Sequence, residues 1–455
     1  MERIKIGVVG GLGHIGLIQA ACLAALGYDT IAHDKDEAKI KKIAEGKMPF
    51  VEPGLEDLVT KAMHGGRLRF TNQMGHLQEA DIVYICVGTP TLPTGAADCS
   101  QVQFAVEEIA RNRSTHAIVA IKSTVPVGTA RRLTLRLRER NLSDKVTIVS
   151  NPEFLREGAG VDDFWKPARI VVGSEPADPQ PAGTRVFGSR PTATAGEAAA
   201  KVAGIYSPPG VPVIITSWEN AELIKYASNA FLATKISFIN EIAHLSEKAG
   251  GDIRVVSKGV GLDPRIGPGF LEAGAGFSGP CLEKDLKSLI HQFNEAELEP
   301  LLLRSTLLVN LRQRKNLIQK LEDRLGLLYG KQIGVLGMAF KPETDDVRDS
   351  HSLPIVNCLL SMGARITVHD PWINGPEQAG LSETELSGVI WASSPYEAAD
   401  GKDAVLILTA WPEYREIALQ KMKARMSKPV VVDGRNLFDP QEMQALGIDY
   451  QGVGI

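Results

Sequence analysis

"IKIGVVGGLGHIGLIQAACLAALGYDTIAHD", residues 4–34, decides the fold. An apolar strand runs to Gly10, a glycine turn follows, an Ala/Leu-rich helix spans about 14–26, and a second strand ends at Asp34. That order is a βαβ unit. Further strands read as ADIVYICVG (80–88), HAIVAIKST (116–124), VTIVSNP (146–152) and ARIVVG (168–173), separated by polar or helical segments. Repeated alternation of this kind predicts a parallel, doubly wound sheet over residues 1–206.

The rest of the chain extends the pattern. Residues 174–212 are rich in Pro, Gly and Ala and read as a surface loop with a helix around 195–206. From Trp218 to about Gly250 apolar residues recur at helical spacing with no proline, which predicts one long helix. Trp218, Leu223, Ile224, Ala227, Phe231, Ile236, Ile239 and Ile242 fit one wide apolar face, and more helix follows to about 325. From 331 the opening recurs in weaker form: a strand and glycine turn in KQIGVLGMAF, a second strand ending in Asp370, then DAVLILTAW and KPVVVDGRN. The expected architecture is α/β: two Rossmann-like doubly wound domains (1–206 and 326–455) joined by a long central helix and helical dimerisation region (207–325). The second turn lacks the full glycine fingerprint and is not expected to hold a dinucleotide as the first does.

Composition excludes several classes. The chain has 455 residues, 44% hydrophobic and 23% charged, with a net charge of −4. That balance gives no electrostatic footprint for nucleic acid or an anionic membrane. No apolar run reaches the roughly 18 residues that a membrane helix needs, and MERIKIGVVG reads as a strand, not a signal peptide. The five cysteines (22, 86, 99, 281 and 358) form no CxxC pair, so neither a metal site nor a disulfide framework is expected. Reduced thiols point to the cytoplasm. Cys22, Cys86 and Cys358 lie inside apolar patterns and read as core fillers.

Gly11-Leu12-Gly13-His14-Ile15-Gly16 follows a strand and opens a helix, with Asp34 at the end of the next strand. Gly11 permits the tight turn, Gly13 lets backbone approach a pyrophosphate, and Gly16 allows close helix–strand packing. The helix N-terminus favours the phosphate charge. Asp34, with no neighbouring arginine, favours NAD over its 2′-phosphorylated form. VGTPT (87–91) and KSTVPVGT (122–129) end strands at the ligand-binding edge of such sheets, although Pro, Gly and Thr also serve as plain turn residues there. NPEFLREGAG (151–160) puts Glu153 and Glu157 on one face if helical, as proton carriers or as helix-capping acids. Lys225 and Asn229 share a face of the long helix, either as a solvated stripe or as a buried pair serving developing oxygen charge.

Cys281 lies in GFSGPCLEKDLKSLI (276–290). Ser278 and Pro280 are helix-start signals, and a thiol in a first helical turn ionises more easily. Lys284 adds positive charge one turn on, and Asp285 is four residues along, on the face of Cys281. This approach favours a thiolate nucleophile over a structural cysteine.

The set resembles the UDP-glucose 6-dehydrogenase group of the UDP-glucose/GDP-mannose dehydrogenase family. GLGHIG with Asp34, EPGL (52–55), VGTP, KSTVPVGT, NPEFLREG, ELIKYASNAF, RIGPGFLEAGAGFSGPCLEKD, GMAFKPETDDVRDS and DGRN (433–436) occur in order over essentially the whole chain. The resemblance implies oxidation of the C6 alcohol of a nucleotide sugar, UDP-glucose, to the acid with two NAD. It makes Cys281 the nucleophile that forms a thiohemiacetal and then a thioester, hydrolysed by water. Lys225 and Asn229 become oxygen-charge stabilisers, Asp285 a base or water orienter aided by Thr124, and Glu153 a general acid–base. Glycines 11, 13 and 16, His14, Ile15, Asp34, Lys39, Thr89, Ser123, Glu157, Lys284 and Arg348 fall at cofactor positions. Phe154, Leu155, Arg156, Phe270, Phe277, Gly279, Lys341 and Arg435 fall at sugar or nucleotide positions. Arg265 matches a substrate-contacting arginine supplied across a homodimer or higher oligomer.

The family's usual approach to the cysteine is near G-F-G-G-S-C-F-P-K-D. Here Ser278, Pro280 and Glu283 replace Gly, Ser and Pro, and Glu283 brings negative charge toward the thiol. The loop around 176–195 is longer than usual. The closest rival is the same chemistry on GDP-mannose or a UDP-N-acetylhexosamine. RIGPGFL and DGRN favour UDP-glucose. A non-catalytic NAD-binding relative would be expected to lack Cys281, Lys225 or Asp285, and all three are present.

Overall fold

The computed structural model describes residues 4–176, 193–206, 208–377 and 388–455. The loop expected around 176–195 falls almost wholly outside them. Two compact units emerge: Met1–Ser228 with Lys287–Glu297, and Asn229–Leu286 with Leu298–Ile455.

The first unit holds an eight-stranded sheet, in spatial order β3-β2-β1-β4-β5-β6-β7-β8. Its strands are β1 Lys5–Val9, β2 Asp29–His33, β3 Leu68–Thr71, β4 Ile82–Ile85, β5 Ala117–Ile121, β6 Val146–Ser150, β7 Ile170–Ser174 and β8 Val213–Ser217. The first helix, His14–Ala25, crosses between β1 and β2. Val9 pairs with both His33 and Ile85, so the glycine turn leaves β1 where the strand order reverses. That reversal opens the crevice in which doubly wound sheets hold ligands. One apolar layer (Ile6, Leu17, Ile18, Tyr84, Val202) covers one face of the sheet, and another (Val83, Val106, Val119, Leu133) covers the other. The near-continuous apolar strands follow from this double burial.

Two features depart from expectation. β6 and β7 pair antiparallel, and β8 extends the sheet to Ser217, past the boundary expected at 206. VIITS carries its strand signal in only five residues just after three prolines, too short a run to separate from loop.

The second unit holds six strands in order β11-β10-β9-β12-β13-β14. They are β9 Gln332–Leu336, β10 Arg365–His369, β11 Ile390–Trp391, β12 Ala404–Ile407, β13 Val430–Asp433 and β14 Asp449–Gln451, all parallel. Asp370 follows β10 as Asp34 follows β2, but its surroundings differ. Its Oδ2 accepts from Met338 N (2.8 Å), Ala339 N (3.0 Å) and Trp411 Nε1 (3.2 Å). The buried Trp411 thus occupies the place beside this turn, in keeping with its incomplete glycine fingerprint.

The central helix runs Trp218–Ala249 and passes from one unit to the other after Ser228. Its buried side coincides only in part with the apolar face expected: of that face Trp218 and Ile239 are buried, whereas Leu223, Ala227 and Phe231 are exposed. Glu222, Lys225, Tyr226, Asn229, Ala233, Ser237 and Asn240 are buried, while Leu223, Phe231, Phe238 and Leu245 are exposed. Periodicity identifies an amphipathic helix without saying which face its own chain covers. Cys22 is a core residue as expected, but Cys358 is exposed on the helix Ser352–Ser361.

Candidate active site

The glycine turn is built for close approach. A Cβ on Gly16 would lie 2.0 Å from Gly10 O, one on Gly11 2.7 Å from Ala32 Cβ, and one on Gly13 3.3 Å from Gly10 O. The first helix begins without a side-chain cap and with no acid in its first turn, which leaves its N–H groups for an anion. A cavity of about 510 Å3 lies alongside, lined by Gly10, Gly13, Asp34, Lys39, Val87 and Phe104 among others. Asp34 Oδ2 accepts from Leu12 N (3.0 Å) and Oδ1 from Asp36 N (3.1 Å), so its carboxylate is fixed against this cavity. These residues fit the adenosine and pyrophosphate of a dinucleotide, with Lys39 exposed at the rim.

The strand-end motifs clamp one another. Ser123 Oγ donates to Val87 O (2.6 Å) and Thr89 Oγ1 to Thr124 O (2.8 Å). NPEFLREG is not helical, so Glu153 and Glu157 share no helix face. Instead Glu153 Oε1 accepts from Lys225 Nζ at 3.0 Å, and Oε2 accepts from Leu155 N at 2.6 Å. Both charges are buried. The solvated-stripe reading of Lys225 is therefore set aside. Phe154 lies under the Arg169 guanidinium, 3.8 Å from its ring centre. Arg156 is exposed and bidentate to Asp163.

The thiol lies in the second unit. Cys281 is exposed, immediately before the helix Leu282–Glu295, and its carbonyl accepts from Asp285 N (2.9 Å). Asp285 is almost fully buried. Its Oδ2 accepts from Asn229 Nδ2 (2.6 Å) and its Oδ1 from Lys284 Nζ (2.6 Å). Burial pushes the thiols of Cys22 and Cys86 up to about 12, leaving them inert, whereas Cys281 stands in the open at a helix start.

The approach to Cys281 is held on both sides. Phe277 N donates to Asn310 Oδ1 (2.8 Å), and Asn310 Nδ2 returns a bond to Phe277 O (2.9 Å). Gly279 has φ +90°, and a Cβ there would meet the Phe340 ring at 2.6 Å. Ser278 Oγ donates to Phe340 O (2.9 Å), so the serine that replaces the family's glycine gains a bond. Lys341 Nζ lies 5.9 Å from the Phe340 ring centre. Arg435 is half-buried, donates Nε to Leu408 O (2.6 Å), and is pushed down to about 10 by burial. Phe270 takes a left-handed backbone, φ +64°. Arg348 and Arg265 lie exposed, paired with Asp346 and Asp263 respectively.

Sequence reasoning quoted Glu52 without giving it a role. Its buried carboxylate accepts from Gly158 N (2.8 Å) and Gly160 N (2.6 Å), and His14 Nε2 lies 2.9 Å from it. It therefore joins the glycine-turn helix to the NPEFLREG loop, and the His14 ring stacks on Phe50 at 4.4 Å. Burial alone would raise its pKa, but the His14 bond and the two backbone donors outweigh it and hold it below the usual carboxylate range. A depressed folded pKa stabilises above the unfolded value and is lost as pH falls through the folded one. Glu52→Ala should cost about 2–3 kcal/mol at pH 7, because two buried N–H groups lose their acceptor. The gap to wild type should narrow below about pH 4, near the unfolded glutamate value. Denaturant unfolding at both pH values checks this, and a pH-independent gap would refute it. Glu222 was likewise undervalued: it accepts from Gly128 N (2.6 Å) and Ala130 N (2.9 Å), fixing the turn that ends KSTVPVGT.

A glycine-turn dinucleotide cradle at the switch point of a doubly wound domain fits an NAD-dependent oxidoreductase. Residues 4–189, 219–312 and 334–440 match the NAD-binding, central and UDP-binding domains of the UDP-glucose/GDP-mannose dehydrogenase family. The chain belongs to that family. It is 40% identical over 452 residues to the UDP-glucose 6-dehydrogenase TuaD of Bacillus subtilis, covering 99% of this chain and 93% of the relative. It is also 40% identical to a UDP-glucose 6-dehydrogenase of Rhizobium meliloti, with 99% of each covered. Among solved structures, a UDP-glucose dehydrogenase from Pyrobaculum islandicum aligns over 100% of this chain and 98% of its own, with 35% identity and a TM-score of 0.87. Among the described residues no helix is long and apolar enough to cross a membrane, and no cluster of metal-ligating side chains occurs.

Proposed function

We propose that this chain oxidises UDP-glucose to UDP-glucuronate in two successive two-electron steps, with Cys281 carrying the sugar carbon between them. The observation that carries the reading is an exposed thiol at a helix start whose neighbouring carboxylate, Asp285, is buried and fixed by Asn229 and Lys284. The names of the relatives and the UDP-binding match of residues 334–440 support the choice of sugar nucleotide. NAD, when bound, accepts the hydride in each oxidation.

In this reading Lys225 and Asn229 stabilise negative charge on the C6 oxygen, and Glu153, hydrogen-bonded to Lys225, takes and returns the hydroxyl proton. The Cys281 thiolate adds to the aldehyde carbon, forming the C–S bond of a thiohemiacetal. The second oxidation gives a thioester. Asp285, aided by Thr124, orients the water that cleaves it, returning the thiol. Phe154, Leu155, Arg156, Phe270, Phe277 and Gly279 frame the sugar, while Lys341 and Arg435 meet the diphosphate and uridine. Thr89, Ser123, Glu157, Lys284 and Arg348 complete the cofactor site. The chain works as a cytoplasmic homodimer supplying an acidic sugar for polysaccharide synthesis. Exposed Phe231, Phe238 and Leu245, seven residues apart on one helix, are the face for the second copy, and Arg265, paired only at the surface with Asp263, is the arginine it lends.

The test is NADH formed per sugar nucleotide consumed, with GDP-mannose and UDP-N-acetylhexosamines in parallel. Two NADH per UDP-glucose are expected, from a protein that sediments as a dimer. One NADH would end the covalent reading. Activity confined to another sugar would end the choice of substrate, and a fully active monomer would remove the role of Arg265.

A further inference from the structure

The stretch from Thr124 to Gly128 lies outside any helix or strand, so its backbone is not held by a ladder of its own. Side chains hold it instead. Thr89 Oγ1 donates to Thr124 O (2.8 Å), and Thr129 Oγ1 donates to Pro126 O (2.6 Å). Gln292 Oε1 accepts from Val127 N (2.8 Å). Its amide is oriented by Ser288, whose carbonyl accepts from Nε2 (3.3 Å), and Ser288 Oγ lies 3.0 Å from Tyr226 Oη, beside Lys225. Glu222 accepts from Gly128 N through Oε2 (2.6 Å) and from Ala130 N through Oε1 (2.9 Å). The same Oε1 accepts from Ser150 Oγ (3.3 Å) at the end of β6, where NPEFLREG begins. Glu222 is buried and lies one helical turn before Lys225 on the central helix. Thr124, Ser150, Pro152, Glu222 and Lys225 share a cavity of only about 10 Å3, and packing this close leaves little room for one segment to shift alone.

We infer that Glu222 and Gln292 are positioning residues for the proposed oxidation: together they set the turn from Thr124 to Gly128, and Glu222 also joins it to the segments that carry Glu153 and Lys225. This rests on the reading that Thr124, Glu153 and Lys225 act in the chemistry. Gly128 N and Ala130 N each end on one oxygen of the Glu222 carboxyl group. An amide replaces one of those oxygens with a donor, so Glu222→Gln leaves one of the two N–H groups without an acceptor. The turn then gives way, and Thr124 moves with it. A displacement of about 1 Å in a reacting group costs up to about 10^2 in rate.

The experiment measures kcat and the KM for NAD and UDP-glucose per folded chain, with the folded fraction taken from denaturant unfolding. Glu222→Gln should lower kcat about 10- to 100-fold, and Gln292→Ala, which removes one anchor at a half-buried position, about three- to tenfold. Both KM values should stay within about threefold of wild type, since misplacement acts on the reacting groups and not on ground-state binding. A merely structural role would lower stability and leave kcat per folded chain unchanged. A kcat within about twofold of wild type in either folded variant, or a loss confined to KM, would overturn the inference. If Glu222→Gln does not fold, Gln292→Ala decides by the same criterion. Failure of the underlying reading looks different: Lys225→Met would then keep its rate. Failure of this inference alone leaves Lys225→Met slow beside a normal Glu222→Gln.

Discussion

Cys281→Ser should abolish net formation of the acid, lowering kcat by at least about 10^3-fold. A serine hydroxyl at the same helix start is not ionised near neutrality, so it adds poorly to an aldehyde and gives no thioester. The side chain is exposed, so the substitution costs little stability, and unfolding should coincide with wild type within about 0.5 kcal/mol. Loss of activity with retained stability isolates chemistry from folding. The checks are NADH release and chromatographic detection of UDP-glucuronate. Turnover within tenfold of wild type would eliminate the covalent route.

The second large effect is expected at Lys225. In the proposed mechanism Lys225→Met removes a donor to developing oxygen charge, a change expected to cost about 10^2–10^3 in kcat. It also strands Glu153, whose carboxylate is buried and bonded to Lys225 Nζ at 3.0 Å. Breaking one side of a buried pair costs about 3–5 kcal/mol of stability. The two losses can be separated by adding Glu153→Gln, which removes the stranded charge. Stability should largely return in the double variant while kcat stays low. A double variant that recovers rate along with stability would show that Lys225 acts through the fold alone.

How legible these sites were depends on the range of the interactions behind them. The glycine turn was readable because its constraints are local: the Cβ that Gly16 lacks would strike Gly10 O, six residues earlier. Cys281 was readable for the same reason, as loop, proline and helix start lie within a few residues. Glu52 was not, because its partners Gly158 and Gly160 lie 106 and 108 residues away. The central helix shows the opposite difficulty. Its pattern gave the helix but only part of the buried face, since Trp218 and Ile239 are buried as expected while Leu223 and Phe231 are exposed and the polar Lys225 and Asn229 are buried. Glu153 and Glu157 failed as a helical pair because the proline-led loop is not helical, and only the folded chain supplies Glu153 with its lysine.

The tryptophan beside Asp370 has a kinetic consequence. One α/β domain keeps an open berth next to its strand-end acid, while the other fills the equivalent place with Trp411, whose indole bonds that acid. Among the described residues each chain thus offers one dinucleotide berth for a reaction that consumes two. The half-oxidised sugar must outlast a changeover of cofactor in that berth. In the proposed covalent route its dwell time, rather than the speed of either oxidation, sets how faithfully each turnover runs to completion, and a bond to sulfur would lengthen that dwell without requiring the protein to seal itself shut.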